Sequence, residues 1–435
     1  MKESKYNFKL NVGEKSVIYN ALNDSITQLD SEAIDLLEKK DFDKFPPDCL
    51  NELISGGVLV EDEMEEMQKY RYLVNKHRYQ SNVYIFTIVT SHICNLKCTY
   101  CYEGGGWYNK AMSEKEAENV VNFMKGTLAK KAHRGLSVLF YGGEPLVAEK
   151  ACVKIAQDVS AFCDETGLET YLAMATNGTL ITEKTIEKLF APYNFKVVQI
   201  TLDGNRKDHN SRRMYKDGSP TYDIILSAIK MLDDASVPVH IRLNIDKKNI
   251  EGLNDLFDDL KSLNLKRADF YYSPIYSMTE ECKHMSEVCL GDSELLEVQK
   301  SVYPEMKKTG MAATIRPVQH FGCMFETDDS FVIDPYMDIY KCLTLMNRER
   351  DRVGYLDDEG KMRLLPRFYD VMSRSPLNNG ECLECPYLPL CNGGCAAQAV
   401  DRTGSYHGTV CTEEKVLLKD RLEQYCKGKF EGKRE

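Results

Sequence analysis

No stretch of this chain approaches the roughly 18 consecutive apolar residues that a membrane-spanning helix needs. The start Met1-Lys2-Glu3-Ser4-Lys5 also lacks the apolar core of a secretory signal. A membrane span is therefore excluded, and the cytoplasm is the expected compartment. Basic charge is not in excess: 56 Lys plus Arg stand against 67 Asp plus Glu. The resulting formal charge of -11 repels phosphate backbones, so no nucleic-acid partner is expected. Internal repeats and low-complexity tracts are missing as well. What is present is 435 residues, 43% hydrophobic and 28% charged, with a mean hydropathy of -0.41. That composition describes a globular protein of about two to three domains with a substantial core. Sixteen cysteines in a chain expected in a reducing compartment point to metal or redox chemistry rather than disulfides.

The chain divides by rhythm. In residues 1–62, Tyr6, Phe8, Leu10 and Val12 alternate as in a half-buried strand. Val17-Ile18-Tyr19 and Ile26 to Leu29 follow as two more strands, Ser31 is placed to cap a helix and Asp48 to cap a second. A compact winged-helix-like domain is expected there. Residues 63–82 carry Met64, Met67, Tyr70 and Leu73 at helical spacing and read as a linker helix. Over 83–304 six strand-like runs, at 84–90, 137–141, 170–175, 197–202, 239–244 and 269–272, alternate with helical patterns. Such units imply an α/β fold with a parallel sheet curved into a partial (β/α)6 TIM barrel, active at the C-terminal ends of its strands. From 305 to 435 the alternation stops and cysteine density rises, with a helix expected from Thr412 to Tyr425.

Directly after the first barrel strand comes Cys94-Asn95-Leu96-Lys97-Cys98-Thr99-Tyr100-Cys101. Three thiolates on one tight loop can hold three irons of a [4Fe-4S] cluster and leave the fourth iron open to a small molecule. The alternative is a zinc knuckle or a group of buried thiols, but structural zinc favours paired Cys-x-x-Cys or histidine partners and only His92 lies close. This Cys-x3-Cys-x-aromatic-Cys signature resembles that of the radical S-adenosylmethionine (SAM) superfamily, in which Cys94, Cys98 and Cys101 carry the catalytic cluster.

The other strand ends agree with the resemblance. Gly142-Gly143-Glu144-Pro145 follows the second strand, where the family binds the methionine ammonium; by itself Gly-Gly before Pro is also simply a turn. Thr176-Asn177-Gly178-Thr179 and Thr201-Leu202-Asp203-Gly204 close the third and fourth, followed by His209-Asn210 and Arg212-Arg213. The resemblance assigns Thr201 and Arg213 to the methionine carboxylate and Asn177 to the ribose side. Arg242 on the fifth strand is a further candidate, with a salt bridge under the barrel rim as its structural alternative, and Tyr100 is placed near the adenine. His209-Asn210 departs from the His-Asp usual in relatives.

The C-terminal cysteines add a second signature, Cys382-x2-Cys385-x5-Cys391-x3-Cys395 followed by Cys411 and preceded by Cys323 and Cys342. Their order resembles the SPASM module of peptide-modifying radical SAM enzymes, which holds two auxiliary [4Fe-4S] clusters, for three in all; a zinc ribbon is the alternative. The resemblance gives Cys382, Cys385, Cys391 and Cys411 to one cluster and Cys323, Cys342 and Cys395 to the other. The latter set is one thiolate short, so either Cys282 or Cys289 completes it or one iron stays open for a substrate thiolate, the option favoured here. Met337 stands where the family usually has glycine, so a turn of different shape is expected there. Cys49, Cys152, Cys163 and Cys426 have no motif and read as buried small hydrophobes or inert surface thiols.

Residues 1–62 then resemble the recognition element that captures the leader of a ribosomally made precursor peptide, the leader strand pairing with a sheet edge at residues 25–29. DNA binding, the other use of a winged helix, is opposed by seven Lys plus Arg against eleven Asp plus Glu in residues 1–60. The expected function is a SAM-dependent oxidoreductase that matures such a peptide by hydrogen abstraction and cysteine thioether crosslinking, with flavodoxin or ferredoxin as reductant. Carbon-carbon crosslinking, sulfatase-type formylglycine formation and a non-catalytic metal scaffold are the competing readings.

Overall fold

A computed structural model describes residues 1–61, 66–101, 109–128, 133–275, 286–311, 323–411 and 415–431. By its contacts the chain forms two compact units. One comprises Met1–Gln80, Thr314–Glu326 and Arg374–Glu435, and the other Ser81–Ala313 and Thr327–Ser373.

In the first unit the alternating residues form strands as their period of two demands: β1 (Lys2–Glu3), β2 (Asn7–Val12), β3 (Lys15–Asn20), β4 (Ser25–Leu29) and β5 (Leu59–Val60). β2, β3 and β4 make an antiparallel sheet in that order, so β4 is an edge strand, while β1 pairs with β5. The helix Ser31–Lys39 is capped by Asp30 rather than Ser31, the Asp30 carboxylate accepting from Ala33 N at 2.8 Å. Pro47 opens the next helix, Pro47–Ser55, in place of an Asp48 cap. The expected linker helix runs Glu66–Tyr79. Leu29, Leu37, Phe45, Leu53 and Val58 bury one core. Tyr6, Leu10, Val17 and Tyr19 bury a second together with Tyr70, Leu388, Leu390, Leu422 and Cys426. The N-terminal strands thus share apolar contacts with the segment leading into Cys391 and with the helix Lys415–Glu431.

The second unit is built on a ten-stranded sheet. Six strands alternate with helices: β6 (Val83–Ser91), β7 (Gly135–Gly142), β8 (Glu169–Thr176), β9 (Val197–Leu202), β10 (Val239–Ile245) and β11 (Ala268–Pro274). Each pairs in parallel with its neighbour, as the expected α/β partial barrel requires. β12 (Ser330–Ile333) extends it in parallel beside β6, and β13 (Asp338–Tyr340), β14 (Gly354–Leu356) and β15 (Met362–Leu364) continue antiparallel. Where the sequence suggested a change of module near residue 305, the packing places 327–373 with the barrel strands, because β12 hydrogen-bonds to the flank of β6.

Candidate active site

β6 ends by delivering the cysteine loop. Ser91 Oγ accepts from Ile93 N at 3.0 Å and turns the chain out of the sheet. Lys97 N donates to Met214 O at 2.8 Å and Thr99 N to Arg212 O at 2.9 Å, so the loop is fastened by its backbone to residues 212–214. Burial pushes the Cys94 thiol up to about 12, with Cys98 and Cys101 contributing, and raises Cys98 in the same way. The three thiols therefore sit within electrostatic reach of one another. Buried thiols that resist ionisation by themselves suit a cationic metal cluster, whose charge replaces the lost hydration.

The two glycines after β7 serve this loop. A Cβ at Gly142, where φ is +151°, would lie 2.2 Å from Ser91 O, and one at Gly143 would lie 2.9 Å from His92 O. Their missing side chains thus admit the cysteine loop, a role distinct from ligand approach. Glu144 is fully buried and accepts from Leu146 N at 3.0 Å, Thr176 Oγ1 at 2.7 Å and Asn177 N at 2.8 Å. Burial nonetheless lifts its carboxyl above the usual carboxylate range. The Pro145 carbonyl accepts from Thr90 Oγ1 at 3.1 Å and Cys152 Sγ at 3.3 Å. Asn177 Nδ2 lies 3.8 Å from Cys94 Sγ and 2.9 Å from Asn95 Oδ1, and Asn95 in turn donates to Thr179 Oγ1 at 2.8 Å.

Tyr100 joins the loop to the far strands. Its hydroxyl donates to Asp203 Oδ2 at 2.5 Å and accepts from Arg213 Nη1 at 2.5 Å and Asn244 Nδ2 at 3.1 Å. Asn244 Oδ1 accepts from Arg242 Nε at 2.9 Å, and Arg242 Nη2 donates to Ser273 Oγ at 2.9 Å. Thr201 is the register partner of Arg242 on β9. Among the described residues Arg242 is thus held by neutral hydrogen-bond acceptors rather than by the salt bridge weighed from sequence. Asp203 and Asn244 are central to this network although neither was singled out from sequence; Asp203 stood inside a quoted strand-end motif, the only signal for it. Asp203 Oδ1, Arg213 Nε and Arg212 Nη1 are buried without hydrogen-bond partners among the described residues. Two cations and a carboxylate with unused polar atoms at the strand ends fit a small polar zwitterion such as SAM.

His209 supports this site from behind. Its Nδ1 accepts from Asp203 N at 3.3 Å, and its Nε2 lies 3.0 Å from Thr221 Oγ1. Burial, helped by Arg213 and Arg212, lowers its pKa to about 3 and keeps the ring neutral. Asn210 Oδ1 accepts from Thr221 N and Tyr222 N, each at 3.0 Å, and so caps the helix Tyr222–Asp234.

The second cysteine set occupies the first unit. Cys382 is raised by burial, with Cys385 and Cys411 adding, and Cys391 by burial with Cys411, Cys382 and Cys385 adding. A Cβ on Gly394 would meet Val410 O at 1.9 Å, so the Cys391 turn rests directly on the strand of backbone leading to Cys411. These four thiols share one neighbourhood and fit a cluster. Cys395 precedes the helix Ala396–Thr403, Cys323 precedes the turn Met324–Glu326, and Cys342 lies in the other unit before Leu343–Leu345. Cys289 is in a turn at residues 286–289, and Cys282 falls outside the described residues. Among the described residues no three His, Cys, Asp or Glu side chains converge on a single ion. Cubane thiolates each bind a different iron and are spaced accordingly. Met337 takes φ +67°, the left-handed conformation glycine adopts freely, so the turn before Cys342 keeps a glycine-type backbone despite its side chain. Cys152, Cys163 and Cys426 are fully buried and Cys49 partly so.

Comparison with known proteins places this geometry in context. The profile of the radical SAM superfamily matches residues 88–260. The chain is 22% identical over 430 residues to the radical SAM cyclopropyl synthase TigE of Paramaledivibacter caminithermalis, covering 87% of this chain and 83% of that protein. It is 22% identical over 323 residues to a cysteine-type anaerobic sulfatase-maturating enzyme of Clostridium perfringens, covering 69% and 85%. Among solved structures, Streptococcus suis SuiB bound to its precursor peptide SuiA superposes with a TM-score of 0.56 at 17% identity, covering 95% of this chain and 99% of SuiB.

Proposed function

We propose that this chain is a radical SAM enzyme that matures a ribosomally made precursor peptide by forming cysteine thioether crosslinks, a reading supported by the match of residues 88–260 to the radical SAM superfamily. When bound, SAM and a [4Fe-4S] cluster on Cys94, Cys98 and Cys101 supply a hydrogen-abstracting radical by one-electron cleavage of the sulfonium. The chain's own residues bind and orient. Arg213 and Thr201 take the methionine carboxylate, Asn177 lies on the ribose side, and Tyr100 is fixed by Asp203, Arg213 and Asn244 next to Cys101. Gly142 and Gly143 let the cysteine loop lie against the end of β7.

The observation carrying the peptide-maturase reading is the N-terminal sheet. The structural likeness to SuiB spans 95% of this chain, whereas that to the anaerobic sulfatase-maturating enzyme spans 80%. Residues 1–62 capture the leader as an added strand on the free edge of β4. Cys382, Cys385, Cys391 and Cys411 hold one auxiliary cluster; Cys323, Cys342 and Cys395 hold the other with an iron open to a substrate thiolate. A low-potential flavodoxin or ferredoxin supplies the electron.

Carbon-carbon bond formation is the second reading, favoured by the likeness to TigE over 430 residues. Anaerobic reconstitution followed by mass spectrometry of a candidate precursor separates them. Thioether formation removes two hydrogens per link together with one alkylatable thiol. The same mass loss with every thiol still alkylatable rejects the thioether assignment in favour of the carbon-carbon one.

A further inference from the structure

The ladder between β9 and β10 ends at the pair Leu202 and Leu243, yet the next residue on each segment, Asp203 and Asn244, still meets the other at the Tyr100 hydroxyl. Beyond the last rung, the twist of a parallel pair carries the two chains apart. The residue that holds them together is Asn249, fully buried in the turn after β10. Its Nδ2 donates to Asp203 O at 3.0 Å and to Asn244 O at 2.8 Å, and its Oδ1 accepts from Asp246 N at 2.9 Å. Gly204, at φ +102°, leaves room for it: a Cβ there would lie 3.4 Å from Asn249 Cβ and 3.3 Å from Asp208 Cβ. The same turn fastens Arg212, whose Nη2 donates to Asp246 Oδ2 at 2.6 Å and whose guanidinium lies 5.3 Å from the centre of the Tyr100 ring.

A primary amide is the one kind of uncharged side chain that offers two N–H donors and an acceptor from a single planar group. Asn249 uses all three, and the reverse orientation would set its oxygen against two carbonyls, so its partners fix which way it points. Closing the turn accounts only for the bond to Asp246 N. Two donations to carbonyls on different strands, one of them 46 residues away, serve something else. An aspartate would face both carbonyls with a carboxylate, and an apolar side chain would leave them buried and unsatisfied. The separation of Asp203 and Asn244 is what this amide sets, and their side chains are two of the three partners of the Tyr100 hydroxyl.

We propose that Asn249 is a positioning residue for SAM binding: by tying Asp203 O to Asn244 O it fixes the two side chains that seat the Tyr100 hydroxyl, and through Tyr100 it shapes the pocket at the strand ends. The inference rests on the reading of those strand ends as a SAM site. Being fully buried, Asn249 offers no surface to a ligand and acts only through its partners. Its influence on SAM therefore disappears once the Tyr100 hydroxyl is gone.

The test is a double-mutant cycle on the full chain: the unsubstituted protein, Asn249→Ala, Tyr100→Phe and the two combined. Each is reconstituted anaerobically with iron and sulfide, its iron is counted, and SAM affinity is measured by equilibrium dialysis without reductant, so that no turnover contributes. Iron content should be equal in all four. Asn249→Ala should weaken SAM binding about fivefold to tenfold. The combined variant should bind SAM as Tyr100→Phe alone does, within about twofold. A residue that merely supports the fold would lower affinity by the same factor in both backgrounds, and that additivity overturns the proposal, as does unchanged affinity in Asn249→Ala. Where Asn249→Ala loses iron or its circular dichroism signal, Asn249→Ser, which keeps one donor, takes its place in the same cycle. An unsubstituted protein that holds iron but no SAM overturns the SAM-site reading and this proposal with it, whereas SAM binding with an additive cycle overturns the proposal alone.

Discussion

Single side chains set the site's chemistry, and three substitutions isolate them. Cys98→Ala removes one of the three loop thiols proposed to hold iron, and 5'-deoxyadenosine production should fall to background by chromatography. Tyr100→Phe keeps the ring but deletes the hydroxyl that bonds Asp203, Arg213 and Asn244. A buried carboxylate then loses a partner at a cost of about 1–3 kcal/mol. SAM affinity by equilibrium dialysis should drop about tenfold or more with iron content unchanged. His209 gives a pH signature. Its folded pKa, lowered to about 3, lies below the unfolded value of about 6.5. Its contribution is complete above about pH 6.5, and as pH falls toward 3 the unfolded chain takes a proton that the folded one refuses. Stability is lost by up to about 1.4 kcal/mol per pH unit. His209→Gln should flatten that decline in urea melts between about pH 7 and 5, whatever its effect at neutral pH.

Elements with a strong period were legible in the sequence, and those without one were not. Runs such as Val197 to Leu202 became β9 residue for residue, because apolar positions of a parallel strand are bounded sharply by turn residues. Ser330–Ile333 escaped notice: four residues inside a cysteine-rich tract give no measurable alternation, yet they attach 327–373 to the barrel. Helix ends were displaced where two capping residues stood side by side, as at Asp30 and Ser31. The cysteine motifs stand out by their spacing alone, whereas Asn244 and Arg374 meet their partners across long sequence separations and announce nothing locally, and Asp203 is marked only by the strand-end motif around it. For the leader binding proposed for residues 1–62, Gln28→Pro on the outer strand β4 removes a backbone N–H and disturbs the edge. Leader binding by fluorescence anisotropy should weaken about tenfold, while cleavage of SAM without peptide persists.

At the scale of the molecule, no helix among the described residues is long and apolar enough to cross a membrane. The first unit depends on residues near both ends of the chain. Leu422, fully buried among Tyr6, Tyr19, Tyr70 and Leu390, should cost about 2–5 kcal/mol when replaced by alanine. Calorimetry should show the loss in the transition of that unit. The same interleaving imposes an order on biogenesis. The ribosome releases the first eighty residues early, but the partners that cover Tyr6 and Tyr19 emerge only after Arg374. Translation must therefore finish before the N-terminal sheet is sheltered, and a nascent chain stalled inside the barrel would present bare aromatic surface to chaperones.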